Sequence, residues 1–425
     1  MKLSIVLPAL VASLSFAQTL PTEDAFYSPP SGFESAPNGQ ILRSRIPPQS
    51  LSFDNLAAAY QLLVKSTNSF GNAIASVTTV LVPNNAQFNK VVSYQAAEDA
   101  SYIGCAPSYT MQSSADGMAQ QLLDQGWVVS VPDHEGINSS FCAGVLGGKI
   151  TLDSIKAVLA SGQLTGVAED SKVTLWGYSG GSQPSGWAAE LQPEYAPELE
   201  GKLVGAAVGG YVANITAVAQ YVNKKMVSGF LPAGIYGLAM EYPELASLEF
   251  KHLVDWKSWY FLKTRKKCMT ANLLSFAFQD VWSYFDFGDE ILYQPVVQRV
   301  MGDQVLGSHA PKIPMYVYQG NSDEVVPYDS VKETVQSYCN LGTKVQFITY
   351  DGQSHTEAGA TGQDAAVQFL SDRLNGKAWN SSTCQFATPR NATVNLARLS
   401  DQPLASVTIT GPNPEAPTSS PATRA

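Results

Sequence analysis

Ser179 lies at the centre of a Gly-x-Ser-x-Gly pentapeptide, Gly177-Tyr178-Ser179-Gly180-Gly181. The apolar residues 173–176 before it predict a strand, and residues 182–191 after it predict a helix. A serine on so tight a strand-to-helix turn presents its hydroxyl at the top of a sheet, and the glycines leave room for the turn. The pattern therefore predicts a catalytic nucleophile at Ser179.

A serine nucleophile needs a general base, and histidine suits this role because its pKa lies near neutral pH. The chain contains four histidines. Where a nucleophile occupies such a turn, the base follows it along the chain, so His134 is excluded and His252, His309 and His355 remain. His355 follows the strand-like residues 344–350 and a short polar loop, whereas His252 lies in an aromatic region without strand flanks. We therefore predict that His355 is the base.

The acid that orients the base should lie between Ser179 and His355 in the chain, in a loop at the end of another strand. Asp323 follows the strand-like residues 314–318 at this position. Asp323 is favoured over Glu324 because its shorter side chain falls at the turn itself. The alternative is that Asp323 caps the N-terminus of the following helix. Asp351 is a weaker candidate because it shares a loop with the predicted base.

The elements that position these residues alternate between strand and helix. Such alternation predicts an α/β fold with a doubly wound, mostly parallel sheet. Strands are predicted near residues 74–82, 91–95, 127–131, 173–176, 203–208, 315–318 and 344–350, and helices near 118–125, 152–160 and 331–339.

The alternation stops between residues 211 and 309, an interval too long for a loop. We predict an inserted helical cap or lid there. Its segments 226–240 and 271–287 are apolar and aromatic, and they either line an acyl pocket or pack the core of the insertion itself. The predicted organisation is a signal peptide (1–17), a core in two parts (18–210 and 310–400), the cap (211–309), and a disordered tail rich in Pro, Ser and Thr (401–425).

Composition and charge limit the range of partners. With 425 residues, 45% of them hydrophobic and 15% charged, the chain can bury one large core plus an insertion. Its formal net charge of −10 argues against a nucleic acid or an anionic membrane surface as partner. Neutral or apolar substrates fit better, although residues 263–267 form a local basic run.

The N-terminus has the pattern of a secretory signal. Lys2 precedes the apolar residues 3–14, and the small-residue pattern Ser15-Phe16-Ala17 follows. We predict cleavage after Ala17 and secretion of the protein. No later segment reaches the roughly 18 uninterrupted apolar residues of a transmembrane helix.

Five cysteines in an oxidising compartment predict two disulfides and one free thiol, but their spacing leaves the pairing open. The chain has no Cys-x-x-Cys and no zinc-ligand spacing, so we expect no metal. Asp133-His134-Glu135-Gly136 follows a predicted strand and is interpreted as a structural loop rather than a metal or acid–base cluster. Sequons occur at Asn138, Asn214, Asn380 and Asn391.

Several separated motifs carry a more specific resemblance. Together they are similar to those of the fungal secretory lipase family, over residues 24–380. They are Phe26-Tyr27-Ser28-Pro29-Pro30-Ser31-Gly32-Phe33, Ile41-Leu42-Arg43-Ser44-Arg45, Tyr94-Gln95 with Glu98-Asp99, Cys105-Ala106-Pro107-Ser108, Pro132-Asp133-His134-Glu135-Gly136, the pentapeptide at Ser179, and Gly186-Trp187-Ala188-Ala189-Glu190-Leu191.

The resemblance implies an α/β-hydrolase core with a helical cap, and it implies a triad of Ser179, Asp323 and His355. It also implies an oxyanion hole formed by the backbone N–H groups of Gly180 and Asp99. By the same resemblance, Cys105 pairs with Cys268 and Cys339 with Cys384, which leaves Cys142 free. The chain departs from the family at Ser182-Gln183-Pro184, where small apolar residues are expected, and this departure concerns the substrate pocket.

We therefore predict a secreted serine carboxylester hydrolase, most specifically a lipase that hydrolyses triacylglycerol or other lipid esters. Such an enzyme needs no cofactor and acts as a monomer on a lipid or small ester, including at an oil–water interface. A second hypothesis is an esterase that removes acetyl groups from a small secondary metabolite. Two weaker hypotheses are a non-catalytic lipid-binding protein and a serine peptidase.

Overall fold

A computed structural model describes residues 18–379, 384–390 and 392–403 of the chain. The predicted signal peptide, the sequons at Asn380 and Asn391, and residues 404–425 of the predicted tail lie outside the described residues. Of the other two sequons, Asn138 is exposed, and Asn214 accepts a 3.1 Å hydrogen bond from the backbone N–H of Ala217 as a helix cap.

One mixed sheet of ten strands forms the centre of the described chain. The strands are β1 (Ile41–Arg45), β2 (Leu56–Thr67), β3 (Ala73–Pro83), β4 (Gln87–Gln95), β5 (Trp127–Pro132), β6 (Lys172–Tyr178), β7 (Leu203–Gly209), β8 (Met315–Gly320), β9 (Val345–Tyr350) and β10 (Gln385–Ala387). Their order is β1-β2-β3-β5-β4-β6-β7-β8-β9-β10. The pairs among β1, β2, β3 and β5 are antiparallel, and every pair from β5 to β10 is parallel.

Helices pack on both faces of this sheet and form the segment between β7 and β8. They are α1 (Pro107–Thr110), α2 (Gly117–Asp124), α3 (Gly144–Ala160), α4 (Gly162–Thr165), α5 (Ser182–Tyr195), α6 (Ile215–Val222), α7 (Phe230–Glu241), α8 (Pro243–His252), α9 (Asp255–Phe261), α10 (Met269–Phe276), α11 (Pro295–Gly302), α12 (Tyr328–Asn340) and α13 (His355–Leu374). Within the described residues, no helix is both long enough and apolar enough to cross a bilayer.

The predicted α/β class with a mostly parallel sheet is confirmed, and each predicted strand and helix of the core has a counterpart. The sequence patterns did not indicate β1, β2, β10 or α13. The first half of β2 is rich in alanine, which has little preference for strands. Helix α13 contains Gly359 and Gly362, which disfavour a helix locally but let it pack closely on Tyr318 and its neighbours.

The order of the strands determines where a site can form. From β4 the chain moves to β5 on one side, and it then returns to place β6 on the other side of β4. A crevice opens at the carboxyl ends of the strands at such a reversal, and ligands bind there in open α/β sheets. The loops after β4 and β6, which contain Asp99 and Ser179, meet at this point.

Two disulfides join distant parts of the chain. Cys105, in the turn after β4, is bonded to Cys268 at the start of α10, and Cys339 in α12 is bonded to Cys384. These are the pairs that the family resemblance implies, and Cys142 is free. The first bond ties the helical segment between β7 and β8, which we call the cap, to the sheet at the end that carries Ser179.

We predict that loss of the Cys105–Cys268 bond lowers the free energy of unfolding by roughly 2–4 kcal/mol, because the bond restricts the unfolded chain. The two residues are 163 positions apart, against 45 for Cys339 and Cys384. Denaturant unfolding of the Cys105→Ser/Cys268→Ser variant should therefore show a loss about 1 kcal/mol larger than in the matched Cys339→Ser/Cys384→Ser variant. Equal stability of the first variant and the wild type would contradict this account.

Candidate active site

Ser179 lies on a strained turn between β6 and α5. Its φ of 55° is in the left-handed region that residues with a side chain rarely adopt. The turn is also crowded, because a Cβ at Gly181 would lie 1.8 Å from the carbonyl oxygen of Gln95. Only glycine fits there, so the pentapeptide reflects a packing requirement as well as a backbone one.

His355 is the first residue of α13, and its ring is fully buried beside the serine. Its Nε2 lies 2.8 Å from Ser179 Oγ, and its Nδ1 lies 2.7 Å from Asp323 Oδ2. The helix starts here because Ser354 and Glu357 form a capping box around its first turn. This Ser-x-x-Glu pattern is visible in the sequence and could have predicted the helix that positions His355.

Asp323 follows β8, and its carboxylate is held on both oxygens. Oδ1 accepts hydrogen bonds of 2.8 and 2.7 Å from the backbone N–H groups of Val325 and Val326. Oδ2 accepts a 2.7 Å hydrogen bond from Gln319 Nε2 in addition to its contact with His355. No sequence pattern indicated Gln319, because only the fold brings its amide over the carboxylate.

Glu324 and Asp351, the alternatives to Asp323, do not contact the ring of His355. Glu324 accepts a 3.0 Å hydrogen bond from the backbone N–H of His355 rather than from its ring. Asp351 accepts a 2.8 Å hydrogen bond from Asn321. Each therefore contacts the surroundings of the triad and not the imidazole.

The other histidines lie apart from Ser179 among the described contacts. His252 contacts Asp286 at 3.0 Å within the cap, and His309 lies 3.6 Å from Glu190 on the surface. His134 is buried in the loop after β5, where burial lowers its pKa to about 4. Only His355 combines contact with a serine and contact with a buried carboxylate.

The surroundings of His355 favour its protonated form. Burial lowers the pKa of the ring, but the charge and the hydrogen bond of Asp323 raise the pKa by a larger amount. The net pKa of His355 therefore lies above the usual value for histidine. The site therefore stabilises an imidazolium at His355.

Asp99 lies directly over the turn that carries Ser179. Its φ is 48°, and a Cβ at Gly180 would lie only 1.6 Å from its Oδ1. Within the described residues its carboxyl oxygens have no hydrogen-bond partner. Burial raises the pKa of Asp99 to about 7, although His355 acts against this shift.

Glu98, Asp133 and Glu135 are buried beside Asp99. Burial raises the pKa of Asp133 to about 7. Burial and the neighbouring carboxyls also raise the pKa of Glu98 and of Glu135 well above the usual range. Asp133 accepts hydrogen bonds from the backbone N–H and the hydroxyl of Ser108, which agrees with the structural role predicted for this loop. The sequence did not reveal that the four acids form one cluster, because they follow two different strands.

A cavity of about 960 Å³, its open mouth included, extends from Ser179 into the cap. Its wall is almost entirely apolar. It includes Val212, Ile215, Val218, Ala219, Val222, Phe230, Leu231, Ile235, Leu238, Leu245, Trp282, Phe285, Ile291, Leu292, Val297, Met301 and Val325. Cys142 and Gln183 also line it, close to the turn at Ser179.

The apolar cap segments both line this cavity and pack the core of the cap. In α7, Phe230, Leu231, Ile235 and Leu238 line the cavity. In the second segment, Leu273 and Phe276 are buried in the core of the cap, whereas Trp282 and Phe285 line the cavity. These segments therefore both line the cavity and pack the core of the cap, and several of their residues do both.

Comparisons with known proteins agree with this geometry. A family model described as Secretory lipase matches residues 106–382. Lipase 2 of Candida albicans is 40% identical over 395 residues, covering 88% of this chain and 84% of the relative. Lipase A of Arthroderma benhamiae is 38% identical over 377 residues, covering 84% of this chain and 80% of the relative.

Solved structures are also similar. Candida antarctica lipase A has a TM-score of 0.81 and 28% sequence identity, covering 90% of this chain and 94% of that protein. A rice cell wall degrading esterase, LipA from Xanthomonas oryzae, has a TM-score of 0.66 at 15% identity, covering 80% of this chain and 100% of that protein, and this likeness shows the fold alone.

The buried carboxyl cluster makes a contribution to stability that is largest in acid. In the folded state Asp99 and Asp133 stay protonated up to a pH of about 7, whereas in the unfolded chain they ionise near 4. Because the unfolded chain loses its protons first, the contribution of these two groups to stability is greatest below pH 4 and falls as the pH rises to about 7, whereas the lowered pKa of His134 acts in the opposite direction. The linkage is about 1.4 kcal/mol per unit of pKa difference for each group, so the fall should amount to several kcal/mol.

Denaturant unfolding at pH 4, 5.5 and 7 measures this fall, and Glu98→Gln should reduce it because the amide cannot ionise. Glu34→Gln, on an exposed turn, is the matched control. An identical pH dependence in Glu98→Gln and in the wild type would disprove the linkage.

Proposed function

This chain belongs to the secretory lipase family, and from that membership we propose that it hydrolyses lipid esters with a triad of Ser179, His355 and Asp323. The observation that carries the proposal is the 2.8 Å hydrogen bond between Ser179 Oγ and His355 Nε2 at the wall of an apolar cavity. An ester carbonyl at this serine would have space for its hydrocarbon part in the cavity beneath the cap.

In the first step, Ser179 Oγ attacks the ester carbonyl while His355 Nε2 accepts its proton. The carbonyl oxygen becomes an oxyanion, which the backbone N–H groups of Gly180 and Asp99 stabilise. The imidazolium then gives its proton to the departing alcohol, and an acyl-enzyme remains. Water, deprotonated by His355, attacks the acyl carbon, and the returning proton restores Ser179 as the acid leaves. No cofactor takes part in these steps.

Asp99 contributes to this reaction through the neutral state of its carboxyl group as well as through its backbone N–H. An ionised carboxylate over Gly180 would repel an oxyanion, whereas a neutral carboxyl does not. Its raised pKa of about 7 keeps the group mostly neutral in acid. The burial of Asp99 therefore supports its place in the oxyanion hole.

The exposed face of the cap supports action at an oil–water interface. Trp256 and Trp259 in α9 are 72% and 62% exposed. Lys257 lies 5.0 Å from the Trp256 ring centre, and Lys263 lies 4.2 Å from that of Trp259. Exposed tryptophans beside lysines are typical of side chains that anchor a protein at the boundary between water and lipid.

A second candidate function is the deacetylation of a small metabolite, which the polar side chain of Gln183 in the cavity wall favours. We also propose that the protein is extracellular. The apolar N-terminal run, the two disulfides and the exposed sequon at Asn138 support this localisation.

We predict that Ser179→Ala and His355→Ala each lower kcat at least about a thousandfold, because the triad acts as one unit. His252→Ala is the matched control, since the ring of His252 contacts Asp286 and Phe287 within the cap. Its kcat on a nitrophenyl ester should stay near that of the wild type. Thermal unfolding of each variant verifies folding, and a His355→Ala enzyme that keeps a tenth of the activity would show that the base is another residue.

We predict that Trp256→Ser/Trp259→Ser lowers the rate on emulsified triacylglycerol at least about fivefold and leaves the rate on soluble butyrate esters unchanged, because the tryptophans bind the interface. Ile46→Ser, which changes another exposed apolar side chain, is the control. A rate measured across acyl lengths from acetate to palmitate separates the two candidate functions. Negligible turnover of every ester longer than butyrate would exclude the lipase and favour the deacetylase.

A further inference from the structure

Glu249 is an acidic side chain in the wall of the apolar cavity. It lies in α8, four residues after Leu245, so both side chains are on one face of that helix and both line the cavity. Glu249 is only 4% exposed. A carboxyl at this position has no obvious use in a cavity that holds hydrocarbon alone.

Two other buried glutamates have hydrogen-bond partners, whereas Glu98 and Glu135 of the acid cluster have none within the described residues. Glu241 accepts a 2.6 Å hydrogen bond from the backbone N–H of Ser69. Glu190 accepts hydrogen bonds from the backbone N–H of Gly307 and from the hydroxyl of Tyr338. For Glu249, no donor or acceptor in the described part of the chain makes a side-chain hydrogen bond. A buried polar group without a partner is costly, so a fold that retains one is a candidate site for a ligand.

The protonation state of Glu249 indicates which ligand would suit it. Burial raises its pKa well above the usual range, and no neighbouring charge contributes to the shift. The other acid that lines the cavity is Asp99, which lies over the serine turn. Burial thus favours the neutral form of Glu249, a carboxyl that both donates and accepts a hydrogen bond. A neutral hydroxyl is complementary to it, and an ammonium group is not.

We propose that Glu249 forms a polar subsite for a hydroxyl group on the acyl chain, so that the enzyme prefers esters of hydroxylated fatty acids over plain ones. The inference rests on the proposed function and specifies its substrate. Core loops form the catalytic end of the cavity, whereas α8 belongs to the cap. A hydrocarbon chain that runs from Ser179 along the apolar wall would bring a hydroxyl far from the ester to Glu249.

The proposed preference is measured as the ratio of kcat/KM between a hydroxylated ester and the plain ester of the same chain length. A site that pairs a substrate hydroxyl disfavours the analogue without it, because its own polar group is then left unpaired. We expect kcat/KM for the best hydroxylated ester to exceed that of its plain counterpart by about 10- to 100-fold, mainly through KM.

The experiment uses methylumbelliferyl esters of palmitate, stearate, 16-hydroxypalmitate and 12-hydroxystearate. In Glu249→Leu the ratio of hydroxylated to plain kcat/KM should fall to about one, and in Glu249→Gln, whose amide still pairs with a hydroxyl, it should fall only partly. Glu244→Gln is the matched control on the same helix, because Glu244 is exposed and pairs with Arg299. Thermal unfolding verifies that each variant is folded.

Two results would overturn the subsite. One is a wild type that prefers neither hydroxylated ester, and the other is a Glu249→Leu variant that keeps the preference. If the wild type hydrolyses no ester at all, the proposed function fails instead. The subsite is then tested by binding of free 16-hydroxypalmitic and palmitic acids to the wild type and Glu249→Leu, followed through intrinsic tryptophan fluorescence, to which Trp282 in the cavity wall contributes. Equal affinities of the wild type for the two acids would exclude it.

Discussion

The close approach of two backbone turns, at the carboxyl ends of β4 and β6, is the constraint on which the rest of the site depends. Ser179 projects from a left-handed turn, and the carbonyl of Gln95 lies where a side chain at Gly181 would be. The same contact brings the carboxyl of Asp99 over Gly180. The position of the serine, the position of Asp99 over Gly180 and the switch point of the sheet are thus results of one packing arrangement.

That arrangement has an electrostatic consequence. Glu98, Asp99, Asp133 and Glu135 follow neighbouring strands whose carboxyl ends meet, so the fold buries several acids together. Burial favours their neutral forms, as the raised pKa of each shows. An ionised cluster there would oppose the formation of an oxyanion and would destabilise the fold. The same burial therefore links stability in acid to a neutral environment for the reaction.

The cap and the sheet share one hydrophobic core. Its inner residues continue the hydrophobic core of one face of the sheet, and the Cys105–Cys268 bond fastens it beside the serine. Its helices α6, α7 and α8 complete the apolar wall of the cavity. Because α8 also contributes an unpaired carboxyl to that wall, the cap determines which groups on a substrate can be buried without loss of hydrogen bonds.

The sequence by itself determined the features that depend on neighbouring residues. It predicted the class of the sheet, its central strands and the turn at Ser179, because a strand, a tight glycine turn and a helix are encoded within about 20 residues. Chain order then pointed to His355 and Asp323. Helix α13 and strand β2 were missed, since glycine and alanine there give weak local preferences and tertiary packing decides their structure. Only the tertiary structure decided that Gln319 holds Asp323, that four acids form one cluster and that Glu249 faces the cavity. Gln319 is only four residues before Asp323, and the turn after β8 brings its amide to the carboxylate. The other two relations join residues far apart in the chain, and such contacts depend on how the sheet and the cap pack together.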